Sequence, residues 1–434
     1  MIINVIGGGL AGSEACYYLA KKGYNVRLFD IKPDNFTPAH QNKNYGELVC
    51  SNSLKSSDVE GNACGLLKRE LIDLGSFVLR CALQTKVPAG NALAVDRELF
   101  AQKITDGLKD LKNVEFICKE VTEINFDEPT IIATGPLTTD KLSDFIRENF
   151  SKGLYFFDAE APIIAGDSID FSKAFISDRY GEAGAGDYVN CPIDKDGYIK
   201  FYEALITAKR AEKHAFEDVK VFEGCMPVEV MAERGINTLR FGPLKPAGLT
   251  DPRTGRWPYA VMQLRKENEQ GTMYNIVGFQ TNLLWGEQKR VFSMFPALEH
   301  AEFLRYGVMH RNTYINAPEV LNNDFSVKNK PFTYFAGQIT GVEGYVESIG
   351  SGLIAAISLV RRLQNKEKIE FTDETVIGAL GEYCSRENAF FQPMNANYGI
   401  LRPIGEIRDK KAKKKLIAER SLAKIKEISE IINE

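Results

Sequence analysis

The sequence predicts an α/β protein in which a split Rossmann-like domain, built to bind a dinucleotide, contains an inserted α/β domain. The first thirty residues follow the order strand, glycine-rich turn, helix, strand and acidic residue, which is the full context of a dinucleotide site. A strand at 332–335 precedes a second glycine-rich loop and a helix, so we expect it to complete the same sheet after an insertion. We therefore place the first part of the split domain at 1–140, the inserted domain at 141–330, and the last part, with a basic C-terminal helical segment, at 331–434.

The N-terminal motif gives each of its glycines a separate physical task. Gly7 permits a tight turn, Gly9 lets backbone approach a pyrophosphate, and Gly12 lets the helix pack closely on the strand. The helix N-terminus faces the phosphate charge, and Asp30 ends the second strand, placed to accept a hydrogen bond from a ribose hydroxyl. A glycine-rich loop without a ligand is the alternative. A mononucleotide site is disfavoured because the chain has no Gly-Lys-Ser/Thr phosphate loop.

The rest of the predicted cofactor domain favours a flavin. A strand ending in Ala133-Thr134-Gly135 is typical of the point where a flavoprotein chain leaves its cofactor domain. The second glycine loop, between Gly337 and Tyr345, leads into a helix rich in glycine and alanine, which predicts a second phosphate or flavin contact. Between these segments the chain is a mixture of strands and helices, including a helix predicted from about Phe201 to Phe216.

The composition argues against several other classes of protein. No uncharged apolar run approaches the roughly 18 residues needed to span a bilayer, and the N-terminal apolar run is too short for a signal peptide. We therefore expect a cytoplasmic protein with no membrane partner. A net charge of −4 disfavours broad nonspecific binding of nucleic acid, and we expect no DNA partner, although a local basic face is compatible with this charge.

The eight cysteines are scattered, without a CxxC pair, and the four histidines do not cluster with them, so we expect no metal site. In a reducing compartment most of these cysteines are free thiols. Cys50 follows Leu48-Val49 in a polar loop, and Cys225 lies in FEGCMPVEVMAERG. A reactive cysteine needs an electropositive, partly exposed setting. The alternative for each is a small buried hydrophobic side chain.

Long blocks of the chain, in order and over nearly its whole length, resemble the folate- and FAD-dependent tRNA uracil-5-methyltransferases. These blocks are GGGLAGSEA, GELVCSNSLKS, FEGCMPVEVMAERG, PLKPAGLTDPRTGRWPYAVMQLR, WGEQKRVF, RYGVMHRNTYINAP, AGQITGVEGYVES and FQPMNANYGI. The resemblance implies that FAD, reduced by NADH or NADPH, carries a one-carbon unit from 5,10-methylenetetrahydrofolate to C5 of a uridine. The implied substrate is the T-loop uridine of tRNA (nucleotide 54 in tRNA numbering), and a uridine of 23S rRNA stays open as the alternative.

The resemblance also implies catalytic roles for two cysteines. Cys225 would attack C6 of the uracil, because a thiolate added there makes C5 an enolate-like nucleophile. Cys50 would lie near the flavin. There it would shield or accept the methylene group, or remove the C5 proton, and the sequence leaves these roles open.

The resemblance further implies which residues hold the FAD. The pyrophosphate is assigned to Gly7, Gly8, Gly9, Leu10, Ala11 and Gly12, the ribose to Asp30, and the second flavin loop to Gly337, Gln338, Val342, Glu343 and Gly344. Tyr345, which ends this loop, either stacks on the folate or flavin ring or is a packed core tyrosine.

Four further residues in the family blocks are candidates for substrate binding. His310 and Arg311 would bind folate or RNA, with a structural histidine as the alternative. Lys289 and Arg290 would meet RNA phosphates, or they pair with Glu287 on the same helix.

An RNA uridine must leave its base stack to react, at a cost of a few kcal/mol. Phosphate contacts must hold the RNA meanwhile, which makes binding sensitive to salt. Besides the Lys289-Arg290 pair, the candidate contact is the run from Lys410 to Lys415, whose alternative is a solvated helical face.

Two functions from other classes stay open on the sequence alone. One is a flavin oxidoreductase of a small molecule that never handles RNA. The other is a flavin-stabilised RNA-binding protein without methyl transfer, which methyl incorporation with and without Cys225 would distinguish.

Overall fold

The computed structural model describes residues 1–150, 154–159, 161–181, 185–211, 226–389, 391–405 and 407–433, with the backbone alone at 154–159 and 310–311. The elements before the insertion are β1 (Ile2–Ile6), α1 (Leu10–Lys21), β2 (Asn25–Asp30), β3 (Ser53–Ser56), α2 (Ala63–Asp73), α3 (Phe77–Gln84), β4 (Lys86–Val87), β5 (Ala92–Val95), α4 (Arg97–Lys109), β6 (Val114–Cys118), β7 (Thr130–Ile132) and α5 (Asp140–Asn149).

The next elements are β8 (Leu154–Ala159), β9 (Ile163–Ala165), β10 (Phe175–Ile176), β11 (Tyr188–Ile193), α6 (Lys195–Ile206), α7 (Val228–Glu233), α8 (Thr238–Phe241), β12 (Ala260–Lys266), β13 (Met273–Ile276), α9 (Trp285–Phe292), β14 (Phe303–Arg305) and β15 (Met309–Tyr314). The last part contains α10 (Ala317–Val320), β16 (Ser326–Val327), β17 (Lys330–Phe335), α11 (Tyr345–Leu363), α12 (Val376–Ser385) and α13 (Lys410–Asn433).

The main sheet has the strand order β16-β17-β7-β1-β2-β6. Its strands from β17 to β6 are parallel, and β16 is an antiparallel edge. Thr333 to Phe335 of β17 pair with Thr130 to Ile132 of β7, so a strand from beyond residue 330 completes the sheet that begins at residue 2. The predicted fold class, a split Rossmann-like domain in an α/β protein, is confirmed. The boundaries at 140 and 330 stay a prediction.

Helices α1 and α11 cross in close contact on this sheet. A methyl group on Gly352 of α11 would lie 2.3 Å from the carbonyl oxygen of Ala11 in α1, so only a glycine allows this approach. Because α1 follows β1 and α11 follows β17, and these strands run parallel, both helices begin at the same edge of the sheet. That edge is where open α/β sheets bind their ligands.

The inserted chain forms an antiparallel sheet of its own, in the order β10-β11-β12-β13-β9-β14. Its core contains an aromatic group in which Phe201 of α6 lies edge-on to Phe295, and Phe279 lies edge-on to Phe292 of α9. The predicted helix at 201–216 is wrong at both ends, because α6 ends at Ile206 and residues 207–211 are not helical, while 212–216 lie outside the described residues. Helix α6 begins at Lys195 because the Asp194 side chain accepts a hydrogen bond from the Gly197 N–H, a typical N-cap.

Within the described ranges, no helix combines the length and the hydropathy required to cross a bilayer. The same part of the chain contains no cluster of three or more histidine, cysteine or acidic side chains arranged to hold a metal ion.

Candidate functional site

A deep cleft opens at the shared edge where α1 and α11 begin. It encloses about 1380 Å³, counting the part open to solvent. The predicted residues that line it are Gly7, Gly8, Gly9, Leu10, Ala11, Asp30, Cys50, Gly337, Gln338 and Tyr345. The fold therefore brings the glycine turn, the acidic residue, one cysteine and the second loop to one place.

The start of α1 presents backbone donors to this cleft. Gly9 is its N-cap and offers no side-chain acceptor, so the first N–H groups of the helix have no partner within the cap. A methyl group at Gly9 would meet no atom within 4 Å, whereas one at Gly12 would lie 1.8 Å from the carbonyl oxygen of Gly7. Gly9 thus borders open space, and Gly12 permits the close packing of helix on turn.

The loop before α11 and the first residue of this helix line another side of the cleft. Its N-cap, Gly344, has a φ of 122° and also supplies no side-chain acceptor. Gln338 donates a hydrogen bond to Glu343 (Nε2 to Oε2, 2.6 Å), which braces the loop. Gly12, Val342, Glu343 and Gly344 do not line the cleft but shape the two loops that do.

Asp30 anchors the base of the glycine turn. Its carboxylate accepts hydrogen bonds from the N–H of Gly8 (2.6 Å) and the N–H of Lys32 (2.9 Å). Lys32 and Glu47, which also line the cleft, form a nearly buried ion pair at 2.7 Å. Each carboxylate oxygen of Asp30 has a second lone pair for a ligand hydroxyl. The ribose role remains a prediction.

Cys50 is held at the cleft by Tyr345. The tyrosine oxygen accepts hydrogen bonds from the N–H groups of Cys50 (2.9 Å) and Ser51 (3.3 Å) and lies 3.1 Å from the Cys50 sulfur. Since the two N–H groups occupy both lone pairs of that oxygen, its own proton is directed to the sulfur. Burial, with the nearby Cys50, raises the pKa of Tyr345 above its ordinary value, so the hydroxyl keeps this proton at neutral pH.

Arg97 fixes the same loop through its backbone carbonyl groups. Its guanidinium donates to the carbonyl oxygens of Leu48 (3.1 Å) and Val49 (2.8 Å) and pairs with Glu267 of the inserted sheet at 2.5 Å. Burial opposes the charge on Arg97, but the Glu267 carboxylate outweighs it and raises the Arg97 pKa. The guanidinium therefore stays charged and paired, and it fixes the two residues that precede Cys50.

A second arginine makes a parallel contact with the cysteine loop. Arg265, on β12, donates to the Asn52 side chain (2.9 Å) and to the Ser51 hydroxyl (2.8 Å). The Asn52 amide in turn donates to the carbonyl oxygen of Lys266 (3.0 Å). The loop from Leu48 to Asn52 is thus fixed between the cofactor domain and the inserted sheet.

Other predicted site residues are not in this cleft. Cys225 lies outside the described residues, and so do the side chains of His310 and Arg311. Lys289 and Arg290 lie on α9, where Arg290 pairs with Glu287 at 2.5 Å. This is the alternative that the sequence left open for that arginine.

The basic run at 410–415 begins helix α13. One of its lysines, Lys414, donates to the carbonyl oxygen of Gly61 (2.9 Å) and lies over the Tyr398 ring. At least part of this run therefore has a packing role.

Sequence reasoning missed Arg97, Arg265 and the pair of Lys32 with Glu47. Arg97 stands at the start of α4, where a cation is unfavourable for the helix dipole, and that placement is the one local signal of a special role. Arg265 lies in a strand and is almost fully buried. Nothing in its neighbourhood in the sequence points to the cysteine loop.

The residues present fit a dinucleotide such as FAD. The N-terminus of α1 has no side-chain cap and borders open space in the cleft, an arrangement that suits a pyrophosphate. At Gly8, by contrast, a methyl group would lie 2.3 Å from the Tyr45 ring, so the turn is closely packed behind its open face. Which individual residue contacts which part of the cofactor stays a prediction.

Comparison with known proteins agrees with this architecture. The family model described as glucose inhibited division protein A matches residues 2–367. The methylenetetrahydrofolate–tRNA-(uracil-5-)-methyltransferase TrmFO of Caldicellulosiruptor bescii is 53% identical over 438 residues and covers 100% of both chains. The protein of the same name from Fusobacterium nucleatum is 52% identical over 426 residues and covers 98% of both. A crystal structure of Aquifex aeolicus GidA has a TM-score of 0.71 at 16% identity, covering 99% of this chain and 73% of that one, which shows the fold alone.

Proposed function

Because the chain belongs to the glucose inhibited division protein A family and, within it, to the methylenetetrahydrofolate–tRNA-(uracil-5-)-methyltransferases, we propose that it methylates C5 of a uridine in RNA. The proposed target is the T-loop uridine of tRNA. The one-carbon donor is 5,10-methylenetetrahydrofolate, and NADH or NADPH is the reductant. The observation that carries the proposal is the single cleft that joins a dinucleotide cradle to a cysteine whose sulfur accepts a hydrogen bond.

The cleft would hold FAD between the N-termini of α1 and α11. When bound, FAD supplies the carrier for the one-carbon unit and the electrons that reduce it to methyl. The N-terminus of α1 would direct backbone N–H donors at the pyrophosphate. Asp30 would hold a ribose of the FAD, and the loop from Gly337 to Tyr345 would contact the flavin.

Two thiols divide the chemistry on the uridine. The Cys225 thiolate would add to C6 of the uracil, which makes C5 nucleophilic toward the one-carbon unit. Loss of the C5 proton would release that unit from its carrier, and reduction of the unit to methyl would expel the thiolate from C6. Cys50 is the base that we assign to that proton. Its sulfur accepts a hydrogen bond from Tyr345, which favours the thiolate that a base must be, and Arg97 holds the backbone of the two residues before it.

The proposal is tested with carbon-labelled methylenetetrahydrofolate, FAD and NADH, with NADPH in a parallel reaction. The purified protein is offered an unmodified tRNA transcript and, separately, a fragment of large-subunit rRNA. We expect label in the T loop of the tRNA. Label in the rRNA alone would keep the chemistry but change the substrate. Label in neither, with flavin bound and reducible, would refute the proposal in favour of a small-molecule oxidoreductase.

A further inference from the structure

Three aromatic rings of the inserted domain form a ladder that ends at the surface. Phe303 stacks on Tyr306 with centroids 5.3 Å apart and planes 2° apart, and Tyr306 stacks on Trp285 at 5.4 Å and 9°. Trp285, the first residue of α9, is 62% exposed. An indole backed by two parallel rings keeps a fixed orientation while it presents a broad apolar surface to solvent.

The segment that carries the two inner rings contacts a segment that lines the cleft. Arg305, between the two inner rings in sequence, donates a hydrogen bond to the carbonyl oxygen of Ala39 (3.0 Å). Thr37 and His40, on either side of Ala39, both line the cleft. The segment that carries the two inner rings is therefore joined to a wall of the cleft.

Two lysines lie near Trp285, although the whole protein carries a net charge of −4. The Leu284 N–H donates to the carbonyl oxygen of Lys209 (3.0 Å), which brings Lys209 to the start of α9. Lys209 and Lys289 are both exposed. Arg210 and Arg290 are each neutralised by an ion pair with a glutamate, so the two lysines give this surface its positive charge.

We infer that this ladder is a stacking platform for an unpaired base of the RNA substrate. Every nucleobase has a π face that stacks on an aromatic ring, and an adjacent cation compensates the backbone phosphate. A base held on Trp285 would anchor the RNA strand beside the cleft while the reacting uridine is out of its stack. The inference rests on the proposed function, since it takes RNA as the substrate.

The two tryptophans of the chain allow a direct test. Trp257 is 58% exposed but stacks on no ring within the described ranges, so it serves as the matched control. In a Trp257→Phe variant, Trp285 is the sole indole, and an unmodified tRNA transcript should quench its fluorescence. In a Trp285→Phe variant, the emission from Trp257 should be unchanged by the same RNA.

The contribution of Trp285 to RNA affinity is measured by fluorescence anisotropy, with the same transcript and the flavin-loaded protein. Trp285→Ala should weaken binding by about 10- to 100-fold, the scale of one lost base stack. Trp285→Tyr should retain most of the affinity because it keeps a ring, and Trp257→Ala should bind as the wild type does. Flavin content should be equal in all of them.

Three outcomes would overturn the inference. Unchanged RNA affinity in Trp285→Ala, with tRNA methylation by the wild type intact, would reject the platform and leave the proposed function standing. A changed oligomeric state with unchanged RNA affinity would make the ladder an interface between copies of the chain. Absence of RNA binding by the wild-type protein would reject the platform together with the proposed function.

Discussion

The hydroxyl oxygen of Tyr345 lies 3.1 Å from the sulfur of Cys50 and accepts the Cys50 N–H at 2.9 Å. This contact joins the first residue of α11 to the cysteine loop. The sequence offered Tyr345 two roles, a ring stacked on the folate or flavin and a packed core tyrosine. The contact gives its hydroxyl a further role, and the stacking role stays a prediction. The first residue of α11 and Cys50, the proposed base, are therefore joined by a direct hydrogen bond.

Tyr345→Phe should separate flavin binding from methyl transfer. The N–H groups of Cys50 and Ser51 lose their acceptor, at a cost of about 1–3 kcal/mol for buried groups, and the sulfur loses its donor. We expect bound flavin to be retained, methylation to fall about 10-fold or more, and alkylation of Cys50 by iodoacetamide to slow. Tyr383→Phe is the matched control, because it removes a hydroxyl that bonds only to the Gln392 carbonyl oxygen among the contacts described. Equal methylation rates in the two variants would show that the Tyr345 contact is incidental.

Cys225→Ala should retain flavin and lose methylation, because the residue is proposed to attack uracil C6 rather than to hold the cofactor. The measurement is methyl incorporation into a tRNA transcript alongside the flavin absorbance. Cys118→Ala changes an exposed thiol of the cofactor domain and should leave the rate unchanged. Full activity in Cys225→Ala would remove this residue from the nucleophile role.

Arg97→Met should both destabilise the protein and impair catalysis. It leaves the Glu267 carboxylate buried and unpaired, which typically costs about 3–5 kcal/mol, as urea unfolding would measure. Adding Glu267→Gln should recover much of the stability but not the methylation rate, since the carbonyl groups of Leu48 and Val49 still lack their donor. Arg69→Met, which breaks the exposed pair with Asp73, should change stability by no more than about 1 kcal/mol. If the double variant also regained full activity, the positioning role of Arg97 would be refuted.

Substitutions at Gly9 and at Gly12 should have different effects, one on FAD binding and the other on stability. Gly12→Ala places a methyl group 1.8 Å from the Gly7 carbonyl oxygen, so it should lower the melting temperature even without cofactor. Gly9→Val adds its side chain to open space, so the apoprotein should melt as the wild type does but bind no FAD. Gly286→Ala, also in open space, is the control and should load normally. A Gly9→Val protein with full flavin content would contradict the assigned position of the pyrophosphate.

Glu70 should make the stability of the C-terminal helices depend on pH. It is buried, and its carboxylate accepts hydrogen bonds from the N–H groups of Val376 and Ile377 and from the Ser421 hydroxyl. Burial raises the pKa of Glu70 from 4.5 to about 7. A raised pKa means that the folded state binds the proton more tightly, so this contribution is complete below pH 4.5 and is lost as the pH rises through about 7.

The expected loss across that window is on the order of 3 kcal/mol. It is measured as the difference in the free energy of unfolding between wild type and Glu70→Gln, which cannot ionise. The wild type should lose stability relative to the variant as the pH increases from 4.5 to 7. A difference that stays constant with pH would show that the three donors, rather than burial, control this carboxyl group.

What the sequence alone determined is local in the chain. The glycine turn, the helix after it and the acid that ends β2 lie within thirty residues, and each element follows from backbone sterics and apolar periodicity. The split of the sheet could also be predicted, because the second strand, glycine loop and helix repeat the first pattern. Even the misplaced start of α6 was a local error, since Asp194 is a recognisable N-cap.

What only the tertiary structure decided is which distant residues meet around the cysteine loop. Cys50 and Tyr345 are 295 positions apart, and Arg97 and Glu267 are 170 apart. No periodicity links such positions, because their contact depends on how β17 closes the sheet and how the inserted sheet lies against α4. The same holds for the ring ladder, in which Trp285 of α9 meets Tyr306, a residue 21 positions later that follows β14. The sequence specified the cofactor cradle, and the folded chain specified the setting of the thiol beside it.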